Sequence, residues 1–257
     1  MAASFWNPEL YAAFRGLRLR PALDLLAQAP EPPPGEAVDL GCGDGAVAEA
    51  LRARFPDRLL TGLDSSPEML ARAKGYDRLE EADIARWTPA TPPALIFSNA
   101  ALQWLPDHAA LLPRLAGLLA PGGVLAAQMP TNFGAPSHVL LRETAAELFA
   151  GRFPQERSVA PVHPARSYHD WLAPLGRVEI WETEYLQELP PDATAHPVRR
   201  FTEGTAMRPY LAALSPEEGA RLTAAYDAAL AEAYPLLKEG GALFPFRRLF
   251  LILRTPG

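Results

Sequence analysis

The chain lacks most of the features that announce the large classes of protein. It has one cysteine, Cys42, so no intrachain disulfide can form and nothing calls for an oxidising compartment. No run approaches the roughly eighteen apolar residues of a membrane span, and Met1 to Leu10 has no basic segment leading into an apolar one. These gaps predict a soluble, untargeted, cytoplasmic protein with no membrane partner. Basic residues are not in excess. The formal charge is -6 with the five histidines neutral, which argues against a nucleic-acid partner and leaves any anionic substrate to be met by a local cluster of arginines. His163, His169 and His196 have no ligand-like spacing with a second His or Cys, so no metal site is expected. Proline is the residue in surplus, with 28 copies. It is dense from Pro30 to Pro34 and scattered from Pro154 to Pro197, where it signals rigid loops.

A length of 257 residues suits one elaborated domain, 1–257. Within it, apolar runs that end on glycine or acid alternate with helical spacing. Ala37 to Leu40 reads as a strand and Gly45 to Phe55 as a helix. Leu59 to Leu63 is a second strand ending on Asp64. Ser65-Ser66-Pro67-Glu68 then reads as a capping box opening a helix that runs to about Lys74. A weaker strand closes at Ala82-Asp83, and Ala94 to Phe97 is a strand ending at Ser98-Asn99. Asp107 to Leu119 is helical, and Val124 to Gln128 is a fifth strand. Strands and helices in that alternation predict a doubly wound, mostly parallel α/β sheet, Rossmann-like. After Met129 the alternation breaks. A helix at His138 to Phe149, a strand at Val178 to Tyr185, helical stretches at Ala193 to Leu214 and Pro216 to Leu237, and a last strand at Leu249 to Leu253 predict an antiparallel edge strand. A helical insert at about 190–245 would fall between the last two strands.

In an open sheet of this kind ligands bind beyond the carboxyl ends of the strands. Those ends carry Asp39, Asp64, Asp83 and Asn99. Gly41, Gly43 and Gly45 would let the backbone turn sharply and approach a ligand, and Asp64 suits the two hydroxyls of a ribose. A dinucleotide-binding protein would share all of this, because Gly41 to Ala46 satisfies the permissive G-x-G-x-x-G/A form. Asp39 and Asp44 favour a different ligand. They place carboxylates where a pyrophosphate would be repelled and a cationic headgroup would not. An NAD-dependent oxidoreductase and a binding module without catalysis remain the rival classes.

Val38-Asp39-Leu40-Gly41-Cys42-Gly43, Gly62-Leu63-Asp64 and Leu119 to Leu125 resemble the class I S-adenosylmethionine-dependent methyltransferases. A narrower resemblance is to the trans-aconitate methyltransferase family. It is carried by Trp6 to Tyr11, Ser98 to His108, Gln128 to Asn132, Trp181 to Tyr185, Gly204 to Tyr210 and Arg248 to Phe250. The chain departs from that family at Asp44, Ala46 and Phe201, and in its prolines from Pro154 to Pro197. The resemblance implies S-adenosylmethionine as cofactor and 30–130 as a cofactor-binding core, with 131–248 as an acceptor-side elaboration. The glycine loop with Gly41 and Gly43 would meet the methionine part, Asp64 the ribose, and Asp83 with Ile84 the adenine, with Asp39, Cys42 and Ser65 as further cofactor-binding candidates. Asn99 would line the methyl-transfer pocket.

The implied acceptor is a small polycarboxylic acid that becomes a methyl ester. Carboxyl pKa values lie near about 4, so the nucleophile is already ionised at neutral pH and no general base is required. The acid's other carboxylates call for arginine forks. The candidates are Arg208 first, then Arg247 and Arg248, with Tyr11, Gln103 and Trp104 bordering the site. Each arginine has a plainer reading, as a partner of Glu203 for Arg208 and as a solvated strand end for Arg247 and Arg248. Trp104 and Trp181 read as packing anchors, Cys42 as a small residue in a crowded loop, and His108 as a partly exposed helix-terminus residue. A different small-molecule acceptor for the same fold and cofactor is the alternative.

Overall fold

The computed structural model describes residues 15–153 and 162–257, so Tyr11 and the rest of the Trp6 to Tyr11 motif lie outside the described residues. Seven strands form one sheet in the order β3-β2-β1-β4-β5-β7-β6. They are β1 (Ala37–Leu40), β2 (Leu60–Asp64), β3 (Arg78–Glu81), β4 (Leu95–Asn99), β5 (Val124–Pro130), β6 (Arg177–Leu189) and β7 (Ala242–Arg254). The first five run parallel and β7 runs antiparallel to β5. The outermost strand on that side is β6, one place beyond β7. Strand order reverses between β1 and β4, which makes their carboxyl ends the switch point where such sheets bind ligands.

The described helices are α1 (Arg15–Gln28), α2 (Ala48–Arg54), α3 (Pro67–Leu70), α4 (His108–Gly117), α5 (Pro136–Leu148), α6 (Ala165–Leu172), α7 (Pro197–Glu203), α8 (Arg208–Leu211) and α9 (Pro216–Ala233). Chain contacts divide the molecule into two compact units. The larger comprises Gly16–Pro130, Pro161–Thr183 and Arg248–Gly257. It holds β1 to β5, and the central strands β1, β4 and β5 are buried almost end to end. The apolar runs Leu95 to Phe97 and Val124 to Ala127 therefore reflect cover on both faces, while Asp39, Ser98 and Gln128 are polar residues buried with them. A fully buried Leu or Ile such as Leu40 or Ile96 contributes about 1.5–3 kcal/mol of transfer free energy. The second unit holds α5, α7, α8 and α9. There the Tyr226 hydroxyl donates to the Ser137 carbonyl at 2.6 Å and Arg199 pairs with Asp227 at 2.7 Å.

Several expected elements change. The helix expected to run to Lys74 ends at Leu70, and no capping box opens it: Ser66 accepts from the Met69 N–H, and its own N3 position is not acidic. A complete box forms instead at Ser215 and Glu218. The stretch expected to be helical from Ala193 to Leu214 forms only α7 and α8, because Pro197 and Pro209 each restart the chain at a first helical turn. Helices α1 and α6 have no counterpart among the expected elements. Pro21 interrupts the donors of α1, yet Ala22, Leu25 and Leu26 bury one face of it. In α6 the buried pair is Tyr168 and Leu172.

Candidate active site at the carboxyl ends of the strands

Asp39 lies on β1 one residue before its end and is 1% exposed. The Tyr76 hydroxyl donates to its Oδ2 at 2.7 Å, whereas its Oδ1 is buried and has no hydrogen-bond partner among the described residues. Burial disfavours the charged carboxylate and, helped by the nearby Asp64, pushes the Asp39 pKa up to about 7 against the pull of the tyrosine. Gly62 on β2 makes room for this pair, since a Cβ there would stand 2.9 Å from the Tyr76 ring.

The glycine loop follows. Gly41 has φ +74, and a Cβ on it would stand 2.2 Å from the Cβ of Ala101. Its lack of a side chain therefore serves close packing with the turn after β4, where ligand approach was expected. Gly43 differs. At φ +56 its only close neighbour among the described residues would be the Met69 Cε, 3.2 Å away, so one side of the loop is open. Cys42 is buried, its thiol pushed up by burial and by Asp39 and Asp64, which fits a small residue in a crowded loop.

Asp64 closes β2 with both oxygens engaged. Oδ2 accepts from the Gly43 N–H and Oδ1 from the Ser66 N–H, each at 2.9 Å, and each oxygen keeps a lone pair for a ligand hydroxyl. Ser65 beside it is exposed. Asp83 is exposed and accepts from the Ala85 N–H at 2.9 Å. Ile84 is 8% exposed, and its Cδ1 would be 3.7 Å from a Cβ on Gly41, so it borders the loop. Arg114 of α4 fixes that turn by donating to the carbonyls of Ile84 and, at 2.8 Å, Trp87.

The end of β4 is tied down from two sides. Ser98 Oγ donates to the Leu40 carbonyl at 2.9 Å. The Asn99 Oδ1 accepts from Gln128 Nε2, and Gln128 Oε1 accepts from Arg248 Nη1 at 3.1 Å. Ala100 then takes φ +53, a left-handed conformation that costs a non-glycine residue roughly 1 kcal/mol. The Gln103 Nε2 bonds its carbonyl at 2.6 Å, and Gln103 Oε1 is buried without a partner among the described residues.

Other expected residues fall elsewhere. Trp104 is 70% exposed, so it is no packing anchor. Trp181 is one, stacked on Phe250 with centroids 4.9 Å apart. His108 is buried because its ring bridges the Tyr168 hydroxyl at 2.7 Å and the Leu102 carbonyl at 2.8 Å. In the second unit Arg247 pairs with Glu184 at 3.6 Å, and Arg208 is exposed at the start of α8. Phe201 sits 5.2 Å from the Phe244 ring in an aromatic cluster of that unit, so this departure falls at a packing position. Tyr76 and Arg114 support the site and belong to no motif, so only their placement in the fold could find them. Ser98 and Gln128 stand inside the Ser98 to His108 and Gln128 to Asn132 runs, but neither run says what they bind. Among the described residues there is no group of three or more His, Cys, Asp or Glu fit to hold a metal, and no helix long and apolar enough to cross a membrane.

The sheet order, glycine loop and acidic strand ends are those of a doubly wound methyltransferase, and a family model for the methyltransferase domain matches residues 11–177. Against the trans-aconitate 2-methyltransferase of Methylobacterium nodulans, the chain is 47% identical over 255 residues, which is 97% of this chain and 98% of that one. Against that of Azoarcus sp. it is 45% identical, covering 96% and 98%. Against that of Escherichia coli it is 42% identical, covering 98% of each. The chain belongs to the trans-aconitate 2-methyltransferase family. Among solved structures, the YcgJ protein of Bacillus subtilis superimposes with a TM-score of 0.57 at 14% identity over 93% of this chain and 99% of that one, a likeness of fold alone. The dinucleotide reading that the glycines left open is settled by the family in favour of a methyltransferase.

Proposed function

We propose that the chain transfers a methyl group from S-adenosylmethionine to one carboxylate of trans-aconitate, or of a closely similar small polycarboxylic acid, forming a methyl ester. The observation that carries the cofactor half is the pair of buried acceptors without partners among the described residues, Asp39 Oδ1 and Gln103 Oε1, on segments that meet where Ala101 packs on Gly41. A buried acceptor left unmade costs about 1–3 kcal/mol, and a ligand with cationic N–H donors relieves both. Asp64 offers its remaining lone pairs to ribose hydroxyls, Ile84 packs beside the adenine, and the open side of Gly43 admits the ligand. The acceptor half is supported by similarity along almost the whole chain to trans-aconitate 2-methyltransferases.

When bound, the cofactor would supply a methyl carbon on cationic sulfur, transferable to a carboxylate oxygen with the carbon–sulfur electron pair left on sulfur and no proton moved. The protein's residues bind, orient and exclude water, work for which positioning alone is worth about 7–11 kcal/mol. Asn99 borders the reacting carboxylate, and the guanidinium fork of Arg208 is suited to a further carboxylate of the acid. Arg247 stays with Glu184. The reading keeps the setting expected from composition: cytoplasmic, metal-independent and without a nucleic-acid partner.

The test is product analysis. Incubation with S-adenosylmethionine and trans-aconitate should yield a singly methylated acid whose added mass is lost on alkaline hydrolysis, with slower turnover of tricarballylate and citrate and none of a phenolic acid. Absence of ester from every small polycarboxylate would sink the assignment.

A further inference from the structure

The chain Arg248, Gln128, Asn99 has a direction imposed by its first member. A guanidinium carries only donors, so the Gln128 atom facing Arg248 must be the carbonyl Oε1, as found at 3.1 Å. Gln128 therefore turns its Nε2 to Asn99, and only the Asn99 Oδ1 can accept from it. Gln128 is fully buried and Arg248 is 4% exposed, so water cannot substitute for either partner and the order cannot reverse without leaving like groups facing each other in a dry site. The two N–H bonds of Asn99 Nδ2 are then the free end of the relay. Asn99 is half-buried at the carboxyl end of β4, and no protein group among the described residues accepts from that nitrogen.

We infer that Arg248 and Gln128 are positioning residues that lock the Asn99 amide with its donors toward the acceptor, making Asn99 the group that selects a carboxylate. This rests on the proposed methyl transfer to an acid. A carboxylate has two oxygens. One attacks, and the other accepts from Asn99, which a neutral amide in the flipped orientation could not offer. An amine or other donor-bearing acceptor would meet donors with donors and be refused. Arg248 thus contributes to recognition of an anion without touching it.

The variant Gln128→Glu tests this, because it keeps the shape and gives Arg248 a carboxylate to bind. The introduced carboxylate offers only acceptors, so Asn99 must turn Nδ2 inward and present Oδ1 to the substrate. Binding of trans-aconitate to the complex with S-adenosylhomocysteine, measured by calorimetry, should weaken about tenfold to a hundredfold, the range for a hydrogen bond to a charged group. Binding of S-adenosylhomocysteine itself should stay within about threefold, and KM for the acid should rise more than kcat falls. Unchanged acid affinity would overturn the proposal, as would a loss confined to S-adenosylhomocysteine, which would put the Asn99 donors on the cofactor. Should Gln128→Glu fail to fold, a second pair decides: Arg248→Lys keeps a donor-only partner and should keep acid affinity, while Arg248→Gln can face either way and should lose it about tenfold. Equal affinities in that pair overturn the relay. Failure of the wild-type protein to bind or methylate any polycarboxylate is the distinct result that removes the underlying reading.

Discussion

Asp39 offers a measurable link between the site and the stability of the chain. Its carboxyl is shifted from 3.8 to about 7 because it is buried. A carboxyl whose pKa is raised on folding favours the native state while both states hold the proton. That advantage is fully present below the unfolded value near 4 and is lost as pH rises to the folded value near 7. Between pH 5 and 8 the native protein must ionise Asp39 over about two of those pH units, a loss of roughly 3 kcal/mol at 1.36 kcal/mol per unit. Asp39→Asn keeps the shape and cannot ionise. Relative to the wild type, the variant without cofactor should therefore gain about 3 kcal/mol in going from pH 5 to pH 8, or roughly 6–12 °C in melting temperature for a chain of this size. Thermal melts at the two pH values measure it, and other titrating groups cancel in the difference. The same variant should bind S-adenosylhomocysteine about tenfold or more weakly, since a hydrogen bond to a charged group is worth about 1.5–3 kcal/mol. Parallel pH dependence in the two proteins would refute the claim that Asp39 is held neutral by burial, and an unweakened variant would remove it from the cofactor site.

Two further outcomes follow from the loop and from α8. Gly41→Ala should destabilise the fold by about 2 kcal/mol or more, since its Cβ would meet that of Ala101 at 2.2 Å in a left-handed backbone. Gly43→Ala should cost only about 1 kcal/mol of backbone strain yet weaken S-adenosylhomocysteine binding about tenfold or more. Denaturation and calorimetry on the pair would show it, and equal destabilisation would mean that the open side of Gly43 is not a binding face. Arg208→Ala should raise KM for the acid and leave cofactor affinity nearly unchanged; unaltered kinetics would remove Arg208 from acceptor recognition.

The parallel core was legible because its signals are local. Leu95 to Phe97 and Val124 to Ala127 are apolar without alternation, as doubly covered strands are, and the acid or amide at or near each strand end, Asp39, Asp64 and Asn99, stands out against those runs. The later elements were harder because their signals conflict. Ser65 and Glu68 have capping-box spacing, but the chain turns one residue later at Pro67, so Ser66 caps instead. His108 opens a helix like a solvated terminus, and its burial is explained by the Leu102 carbonyl together with a tyrosine sixty positions away. Tyr76 and Gln128 illustrate the general limit. Each is defined by a partner on another strand or loop, Asp39 for the first and Asn99 with Arg248 for the second, and no spacing along the chain encodes such a pairing.

On the proposed function, those two pairings would let one end of one sheet serve ligands of opposite charge. On the β1 side the groups without a partner among the described residues are acceptors, Asp39 Oδ1 and, from the turn after β4, Gln103 Oε1. On the β5 side the guanidinium of Arg248 fixes the order of donors and acceptors, so that Asn99 ends in donors. A cationic headgroup would be matched by the first set and an ionised acid by the second. The backbone alone imposes no such polarity, since every parallel strand ends at the same face. Tyr76 sharpens the contrast by giving its single donor to Asp39, which lowers the Asp39 pKa against burial and readies the carboxylate for a cation. Tyr76→Phe should therefore raise the pH at which S-adenosylhomocysteine binds best; an unchanged pH profile would mean that the tyrosine only fills space beside Gly62.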